Sequence, residues 1–484
     1  MSIRELEPKV IWENFYALTQ IPHPSKKEEE IIAFMEKFGK DLGLETIVEP
    51  IGNVIIRKPA TPGMENRQGI ILQAHLDMVP QKNSDVTFDF EKEAIQAYID
   101  GEWVKAKGTT LGADNGMGVA AAMAVLQAKD LVHGPIEALF TTEEETGMVG
   151  AKNLQPNVLK GQILINLDSE DEGELYVGCA GGLDGSFTYK YKEEPVAATH
   201  EAYKLSVTGL KGGHSGMDII LYRGNANKIM CRFLKQATKE LGVSIGTIDG
   251  GSLRNAIPRE AFATITIAKD KAAQLKSMLQ ECCATIAAEY SAADPGLKME
   301  LEPTTAPKSV MDKSTQTALI DGVLACPNNI VRMSDAMPGL VETSSNLAIV
   351  KAENGEASIK CLMRSSVDSA KAALAEEMES LFRSLGATCE FTGGYNGWKP
   401  NMDSPILKAM RETYKALYGK EAEIKAIHAG LECGILSEPY PSWDMISIGP
   451  TIRHPHSPDE KVKIDTVGKF WDFLVAVLKN APTK

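Results

Sequence analysis

The sequence predicts an α/β protein whose parent domain is interrupted by an inserted α+β domain. In residues 1–186, strand-like apolar runs alternate with helix-like patterns, which is typical of a largely parallel sheet covered by helices. From residue 187 the pattern changes to period-two strands and long helices, which predicts a separate layer over residues 187–396. Patterns of the first kind return in residues 397–484. We therefore expect two domains, of which one is discontinuous.

The first segment is expected to begin with two helices and to continue with short strands. Helix-like apolar spacing covers residues 8–21 and 25–42, and Ser25 followed by Glu28 predicts a capping box for the second helix. An Ala-rich helix is expected over residues 115–128. Short β-rich runs begin at Val54, Ile70, Ile136 and Ile163. These runs would form the parallel sheet.

The inserted segment is expected to carry longer elements. Period-two alternation predicts strands over residues 187–192 and around 204–207. Further strands are expected at 261–268 and near 340–364. Helices are expected at about 223–241, 270–291, 313–325 and 368–386. Beyond residue 400 the chain returns to a helix, a strand at 445–448 and a closing helix.

Composition excludes several classes of protein. The chain has 484 residues with a formal charge of −14, which argues against a nucleic-acid partner. The longest apolar run, from Val119 to Leu126, is far shorter than the roughly 18–20 residues of a membrane span. The N-terminus has no apolar core of a signal peptide, and the eight cysteines form no CxxC pair. We expect a cytoplasmic protein with no membrane partner and reduced cysteines.

His75 and Asp77 follow an apolar run, and strand alternation places them on one side of the chain. This arrangement suits a metal-binding imidazole with a carboxylate close enough to orient it. Equally, a histidine can simply pack at the end of a strand. Taken alone, this motif leaves both interpretations open.

Four other clusters place acids or histidines after apolar strands. Asp114 lies in a glycine-rich turn before the Ala-rich helix, where it is either a ligand or an N-cap. Glu143, Glu144 and Glu145 form a run that needs a cation or protonation unless it is a solvated turn. Asp168 ends another apolar strand. The last cluster is a proline-restrained loop with the two histidines His454 and His456.

Together the clusters make a stronger case. In parallel α/β sheets, ligands bind beyond the carboxyl ends of the strands. Two histidines and three carboxylates suit a pair of Zn²⁺, Mn²⁺ or Co²⁺ ions that share one bridging carboxylate. The sequence therefore favours a binuclear hydrolytic centre.

These motifs resemble those of the co-catalytic di-zinc aminopeptidase/carboxypeptidase/aminoacylase superfamily. The motifs in question are His75-x-Asp77, Gly112-x-Asp114-Asn, Glu144-Glu145-x-Gly147, Asp168 and His456-Ser-Pro-Asp-Glu. Further blocks resemble the bacterial aminoacyl-histidine dipeptidases (peptidase D) within it. These blocks are Asn166-Leu-Asp168-Ser-Glu, Gly178-Cys-Ala-Gly-Gly, Gly212-Gly-His214-Ser-Gly, His428-Ala-Gly-Leu-Glu432 and Gly449-Pro-Thr. The resemblance runs from about residue 20 to 470 and implies a discontinuous di-zinc peptidase domain with a mixed, helix-covered sheet and an inserted α+β lid.

The resemblance also implies a ligand set. His75 and Asp168 would bind one ion, Glu145 and His456 the other, and Asp114 would bridge them. Zinc is the expected metal, with manganese or cobalt as alternatives.

Two acids would assist these ligands. Asp77 would orient the imidazole of His75, and Glu144 would be the general base that takes a proton from a metal-activated water. Glu144-Glu145-Thr-Gly147 keeps the superfamily's spacing of two acids, any residue and glycine, and the resemblance therefore implies that Glu143 is the extra acid of the run. His454 competes with His456 as a ligand, and the Ser-Pro-Asp-Glu that follows favours His456.

The inserted segment would supply the substrate contacts. His214 is the expected donor to the oxyanion, although a turn histidine flanked by glycines is the alternative. Asn255 and Arg364 resemble the family's clamp for the substrate carboxylate; a surface arginine at a strand end is the alternative. His428 and Glu432, spaced i and i+4, could share a helix face and contact substrate or support the metal site.

The implied activity is hydrolysis of unblocked dipeptides, of Xaa-His type with broad tolerance. A related aminoacylase or carboxypeptidase is the alternative enzyme, and a non-catalytic binding protein on the same scaffold is the alternative class. The partner would be a small peptide substrate. The protein would be a monomer or a homodimer. An insert of about 210 residues is long enough to supply His214 within one chain, so we expect His214 to act in its own chain.

Overall fold

The structure is a computed structural model that describes residues 2–484. Two compact units divide the chain. The first unit comprises the residues up to Gly178 together with Pro400–Ala426 and Leu431–Lys484. The second unit comprises Cys179–Lys399 and Ile427–Gly430. Within residues 2–484, no helix is both long and apolar enough to cross a membrane.

The first stretch of the first unit contains four α-helices and eight strands after a 3-10 helix at Ile3–Glu5. The helices are α1 (Lys9–Thr19), α2 (Glu29–Asp41), α3 (Ala113–Gln127) and α4 (Val149–Lys152). The strands are β1 (Glu45–Val48), β2 (Val54–Lys58), β3 (Ile70–His75), β4 (Ala97–Asp100), β5 (Trp103–Ala106), β6 (Ile136–Thr141), β7 (Ile163–Asn166) and β8 (Glu174–Cys179).

The second unit contains thirteen strands and four α-helices. The strands are β9 (Gly181–Lys190), β10 (Glu193–Pro195), β11 (His200–Thr208), β12 (Gly213–His214), β13 (Ser244–Gly250), β14 (Ala256–Ile257), β15 (Ala261–Ala268), β16 (Lys298–Thr304), β17 (Ser309–Met311), β18 (Asn329–Met333), β19 (Val341–Glu353), β20 (Glu356–Ser365) and β21 (Thr388–Tyr395). The α-helices are α5 (Ala226–Leu241), α6 (Ala272–Glu289), α7 (Lys313–Ala325) and α8 (Asp368–Ser384), and 3-10 helices lie at Ile219–Leu221 and Lys269–Lys271.

The last stretch of the chain completes the first unit. Its helices are α9 (Pro405–Tyr418), α10 (Glu432–Leu436) and α11 (Ile464–Lys479). Its strands are β22 (Glu423–Ile427), β23 (Asp444–Ser447), β24 (Ile452–Arg453) and β25 (Lys461–Lys463).

An eight-stranded sheet organises the first unit in the order β1-β2-β6-β3-β7-β23-β8-β22. The neighbours β6, β3, β7 and β23 run parallel, while β1, β2 and β8 pair antiparallel. The predicted mixed sheet is therefore confirmed. Every residue of β3 and β6 is buried, as expected of strands covered on both faces. A second, four-stranded sheet has the order β24-β25-β5-β4.

A nine-stranded sheet organises the second unit. Its order is β16-β11-β15-β13-β19-β20-β9-β21, and β18 pairs with β19. Long amphipathic helices bury their apolar faces in this unit's own core, where Phe187 and Phe382 stack with ring centroids 3.9 Å apart. The predicted α+β architecture of this segment agrees with these elements. The lid function of this unit stays a prediction.

The predicted capping box of α2 is wrong. The helix begins at Glu29, and Glu28 at the N-cap position accepts no bond from the helix. The Ser25 hydroxyl instead donates to Asp77 at 2.7 Å, and the Glu28 carboxylate accepts the N–H of Glu143 at 3.0 Å. Both side chains therefore serve contacts distant in sequence, which outweigh the local capping pattern.

The cysteine prediction agrees with the structure. All eight cysteines lie among the described residues, and none forms a disulfide bond. The sulfur atoms of Cys326 and Cys361 lie 3.8 Å apart in the core of the second unit.

Candidate metal centre and carboxylate site

The parallel strands of the first unit end at one edge of the sheet, and the predicted metal ligands follow them. His75 is the last residue of β3, Glu145 lies just beyond β6, and Asp168 lies just beyond β7. Asp114 lies at the start of α3. This edge is where α/β sheets bind ligands.

The side chains of the five predicted ligands are close together. His75 Nε2 lies 3.2 Å from Asp114 Oδ1 and 3.4 Å from Asp168 Oδ1. His456 Nε2 lies 3.1 Å from Asp114 Oδ2 and 3.0 Å from Glu145 Oε1. Asp114 thus faces one imidazole with each of its two oxygens, which is the arrangement that a bridging carboxylate needs.

The donor set fits two divalent cations. Two groups of three residues each offer ligand atoms within 4.8 Å of one another, and Asp114 belongs to both. In addition, Glu145 Oε1 and Asp168 Oδ1 are buried, and each faces an imidazole nitrogen, at 3.0 and 3.4 Å respectively. Imidazole nitrogens and carboxylate oxygens suit Zn²⁺, Mn²⁺ or Co²⁺. A third group, which contains His75, Glu144 and Glu145, places the predicted base beside the ligands.

The carboxylates strongly perturb the two imidazoles. Burial lowers the pKa of His75, but Asp168, Asp114 and Asp77 outweigh that effect and raise it well above the usual value. Hydrogen bonds to Asp114 and Glu145 raise the pKa of His456 to about 11. The site therefore favours positive charge, as a cation-binding centre must.

The pKa values of the acids in the site shift in opposite directions. Burial raises the pKa of Asp168 to about 7, while hydrogen bonds from His456 and His75 overcome burial and lower the pKa of Asp114. Burial, with repulsion from Asp168 and Glu145, raises the pKa of Glu144 well above the usual value. A raised pKa is what a carboxylate needs in order to accept and return protons near neutral pH.

Asp77 contacts the predicted ligands and the predicted base, and is not itself a predicted ligand. Its Oδ1 lies 3.4 Å from His75 Nδ1. The same carboxylate accepts the backbone N–H of Glu144 at 2.9 Å and of Glu145 at 3.2 Å. One acid thereby fixes the imidazole of one predicted ligand and the backbone of another, together with the predicted base.

Glu432 is wholly buried in the first unit. Its carboxylate accepts hydrogen bonds from Gln73 Nε2 at 2.5 Å and Thr141 Oγ1 at 2.8 Å. Both partners lie on strands that end at the metal site. The expectation that His428 and Glu432 share a helix face is wrong, because α10 begins at Glu432 and His428 belongs to the second unit.

Two supporting residues were missed at the sequence level. Asn115 Oδ1 accepts the N–H of His75 at 3.3 Å, and its Nδ2 donates to Leu167 O at 2.8 Å. Glu460 accepts backbone N–H groups at the start of α3. Burial and repulsion from Asp114 raise the pKa of Glu460 to about 7, against the opposing effect of those N–H groups. Both residues lie inside motifs noted above, but their partners are backbone atoms distant in sequence.

His214 is the last residue of the short strand β12 in the second unit, and a tight turn follows it. Its Nδ1 accepts the N–H of Gly216 at 3.2 Å and of Met217 at 3.1 Å. Burial and the charge of Arg364 lower its pKa. A neutral imidazole whose Nδ1 is an acceptor carries its proton on Nε2, so His214 offers one N–H to a ligand.

Arg364 is a buried arginine without a counterion. It is 5% exposed, and its Nη1 donates to the Tyr395 hydroxyl at 3.2 Å. Its Nε has no hydrogen-bond partner. Within residues 2–484, no carboxylate forms an ion pair with it. A buried, unpaired guanidinium is costly unless an anion binds it, so this position fits a carboxylate ligand.

His428 and Asn255 complete the second unit's predicted residues. Burial and Arg364 lower the pKa of His428 to about 3, and its Nε2 lies 2.7 Å from Ser344 Oγ. Asn255 is exposed in the turn before β14, and its carbonyl accepts the N–H of Ser215 at 2.8 Å, next to His214. His214 and Asn255 line a cavity of about 620 Å³ within this unit.

Comparisons with known proteins show which family and fold this chain resembles. The profile of Peptidase family M20/M25/M40 matches residues 71–480. The cytosol non-specific dipeptidase of Escherichia coli is 47% identical over 483 residues, which span 100% of both chains. The structure of aminoacylhistidine dipeptidase from Vibrio alginolyticus has a TM-score of 0.95 and 47% identity, and covers 100% of this chain and 99% of that one. Aminopeptidase PepT from Bacillus cereus shares the fold, with a TM-score of 0.57 at 17% identity and with 98% and 99% of the two chains covered.

Proposed function

The chain belongs to peptidase family M20/M25/M40, and we propose that it is a metal-dependent dipeptidase that hydrolyses unblocked dipeptides. The observation that carries this proposal is the position of Asp114 between His75 and His456, with Glu144 in the adjacent ligand group. Full-length similarity to two dipeptidases supports the substrate class. One of these relatives is named non-specific and the other aminoacylhistidine, so we propose Xaa-His dipeptides within a broad range.

Two divalent ions would complete the centre. His75 and Asp168 would hold one ion, Glu145 and His456 the other, and Asp114 would contact both. Zinc is our proposed metal, with manganese and cobalt as alternatives of similar chemistry. When bound, the ions would supply Lewis acidity that lowers the pKa of the attacking water and polarises the scissile carbonyl.

Glu144 would perform the proton transfers. As a carboxylate it would take one proton from the attacking water as the new C–O bond forms. As a carboxylic acid it would then give that proton to the departing amine nitrogen when the C–N bond breaks. Asp77 would keep the backbone of Glu144 and the ring of His75 in position during both steps.

The second unit would bind the rest of the substrate. The Nε2–H of His214 would donate to the oxygen that gains negative charge in the transition state. Arg364 would bind the C-terminal carboxylate, since its planar guanidinium can donate two parallel hydrogen bonds. Asn255 would add an amide contact, and His428 would line the same site as a neutral side chain. We further propose that this unit acts as a lid.

A substrate panel tests this function. Rates on Xaa-His dipeptides, other unblocked dipeptides, tripeptides, N-acetyl amino acids and dipeptide amides should be compared. We expect unblocked dipeptides to be cleaved fastest. Dipeptide amides should mainly show a higher KM, because Arg364 would have no carboxylate to bind. Faster cleavage of N-acetyl amino acids or of C-terminal residues of longer peptides would instead indicate the related aminoacylase or carboxypeptidase activity. No cleavage of any substrate would indicate a binding protein.

The proposal also includes the location and the assembly of the protein. A cytoplasmic location fits the cysteines, none of which forms a disulfide bond, and the similarity to a relative named for the cytosol. For assembly, we keep the expectation of a monomer or a homodimer in which His214 acts within its own chain.

A further inference from the structure

Glu460 is a buried acid that the mechanism above does not use. It lies four residues after His456, immediately before β25, and is 2% exposed. Within residues 2–484, no lysine, arginine or histidine forms an ion pair with it. A buried carboxylate needs several hydrogen-bond donors in place of water.

Those donors are four consecutive backbone N–H groups. Leu111 and Gly112 donate to Glu460 Oε2 at 2.7 and 2.9 Å. Ala113 and Asp114 donate to Oε1 at 2.8 and 3.1 Å. A carboxylate has about four lone-pair positions, so these bonds use its full capacity.

The segment that Glu460 binds has no local alternative. Helix α3 begins here, and the N-cap residue Gly112 has φ 72° and offers no side-chain oxygen. Asp114 and Asn115 have non-helical backbone angles inside the first turn. The first N–H groups of a helix lack partners within the helix, and here a side chain from residue 460 satisfies them.

The same side chain also anchors the loop of His456. This loop holds His456 at φ 58°, a left-handed conformation that non-glycine residues rarely adopt. Across the site, His456 Nε2 lies 3.1 Å from Asp114 Oδ2. Glu460 therefore connects, through one carboxylate, the backbone before Asp114 with the loop that carries His456.

We propose that Glu460 is a positioning residue that sets the separation of Asp114 and His456 and thereby the affinity for the ion they would share with Glu145. This inference rests on the proposed metal centre. The ion on His75 and Asp168 should depend on Glu460 less, although Asp114 would contact it too. Two of its three ligands, His75 and Asp168, lie at strand ends that Glu460 does not contact, whereas the other ion would take both Asp114 and His456. A purely structural cap would change the melting temperature but leave the affinities of the folded protein unchanged.

The test is zinc binding to the folded apo-protein, by competition with a chromophoric chelator, for the wild type and Glu460→Gln. Glutamine has the same shape but places an NH₂ group against two of the four N–H donors. We expect one of the two zinc ions to bind about 10–100-fold more weakly and the other to change much less. The matched control is Asp459→Asn, which removes the same charge from the exposed neighbouring residue and should bind both ions as the wild type does.

Unchanged affinities in Glu460→Gln, or equal weakening of both ions, would overturn the proposal. If Glu460→Gln does not fold, Glu460→Asp, which keeps the charge on a shorter side chain, is judged by the same two criteria. The readout needs no substrate. A wild type that binds two ions but cleaves no dipeptide would therefore refute the proposed function without touching this inference.

Discussion

Four imidazoles of this chain lie in two opposite electrostatic environments. In the first unit, carboxylates surround His75 and His456 and raise their pKa values, in the case of His456 to about 11. In the second unit, burial and Arg364 lower the pKa values of His214 and His428. Histidine thus lies among carboxylates in the first unit and near a buried arginine in the second.

This difference separates two tasks of a peptidase. An excess of buried carboxylates suits cations, whereas an unpaired guanidinium beside neutral imidazoles suits an anionic substrate and its developing oxyanion. Variants that alter one region should therefore change different kinetic constants from variants that alter the other. The predictions below follow from this contrast and begin with the largest effect.

Glu144→Gln should abolish the proton transfer while the predicted ligands stay in place. We expect kcat to fall about 1,000-fold or more, since general acid–base catalysis contributes about 10²–10⁴-fold. Steady-state kinetics on a dipeptide, with metal content measured in parallel, checks this. Glu143→Gln is the matched control because it changes the neighbouring acid of the same run, and it should keep a rate near that of the wild type. A fully active Glu144→Gln enzyme would refute the mechanism.

His214→Asn should remove the donor but keep the turn. The asparagine oxygen can accept the two turn N–H groups that Nδ1 accepts now, while the Nε2–H is lost. We expect kcat to fall about 100-fold or more with little change in KM, as for other oxyanion donors. The control is His200→Asn, at the start of β11. A rise in KM alone would assign His214 to substrate binding instead.

Arg364→Ala should raise KM for unblocked dipeptides about 10–100-fold, which corresponds to about 1.5–3 kcal/mol for hydrogen bonds to a charged group. The effect should be small on dipeptide amides, because they lack the carboxylate. Arg332→Ala, which removes an exposed arginine of the same unit, should leave KM unchanged. If both variants have the same KM, Arg364 does not bind the carboxylate, and the second unit is not the part that binds the anionic end of the substrate.

His428 should make the second unit sensitive to acid. Its pKa is lowered to about 3 in the folded state, against 6.5 ordinarily, so below pH 6.5 the unfolded chain binds more protons than the folded one. Stability from this residue is therefore complete above pH 6.5 and falls by about 1.4 kcal/mol per pH unit towards pH 3. Between pH 6.5 and 5 the loss is about 2 kcal/mol.

Urea unfolding after chelation measures this slope without a contribution from metal release. Stability should fall less steeply with acid in His428→Gln than in the wild type. His200→Gln should keep the wild-type slope. Equal slopes in all three proteins would show that folding does not lower the pKa of His428.

Much of the fold was predictable because its signals are local. Apolar runs and helical spacing predicted β15 at 261–268 and α7 at 313–325 with the bounds that the structure has. The mixed sheet followed from the alternation of helices and strands together with the resemblance. The capping box at Ser25 failed because Asp77, which is 52 residues away, takes the serine hydroxyl.

The candidate site divides in the same way. Strand ends indicated the clusters, and the resemblance to the di-zinc superfamily supplied the ligand set. The structure brings the five side chains together. The roles of Glu460 and Asn115 were not predicted, because their hydrogen-bond partners are backbone groups, which a sequence pattern of side chains does not indicate. The lack of a counterion for Arg364 likewise depends on burial, which only the folded chain reveals.

Metal stoichiometry coupled to activity tests the central claim most directly. The protein should be stripped with a chelator and titrated with zinc, with bound metal and dipeptide hydrolysis measured at each point. We predict no activity without metal, full recovery on reloading, and saturation at two ions per chain. Full activity in the stripped protein would contradict a shared two-ion centre. Zinc affinities that remain unchanged in variants of His75, Asp114 and His456 would contradict it as well.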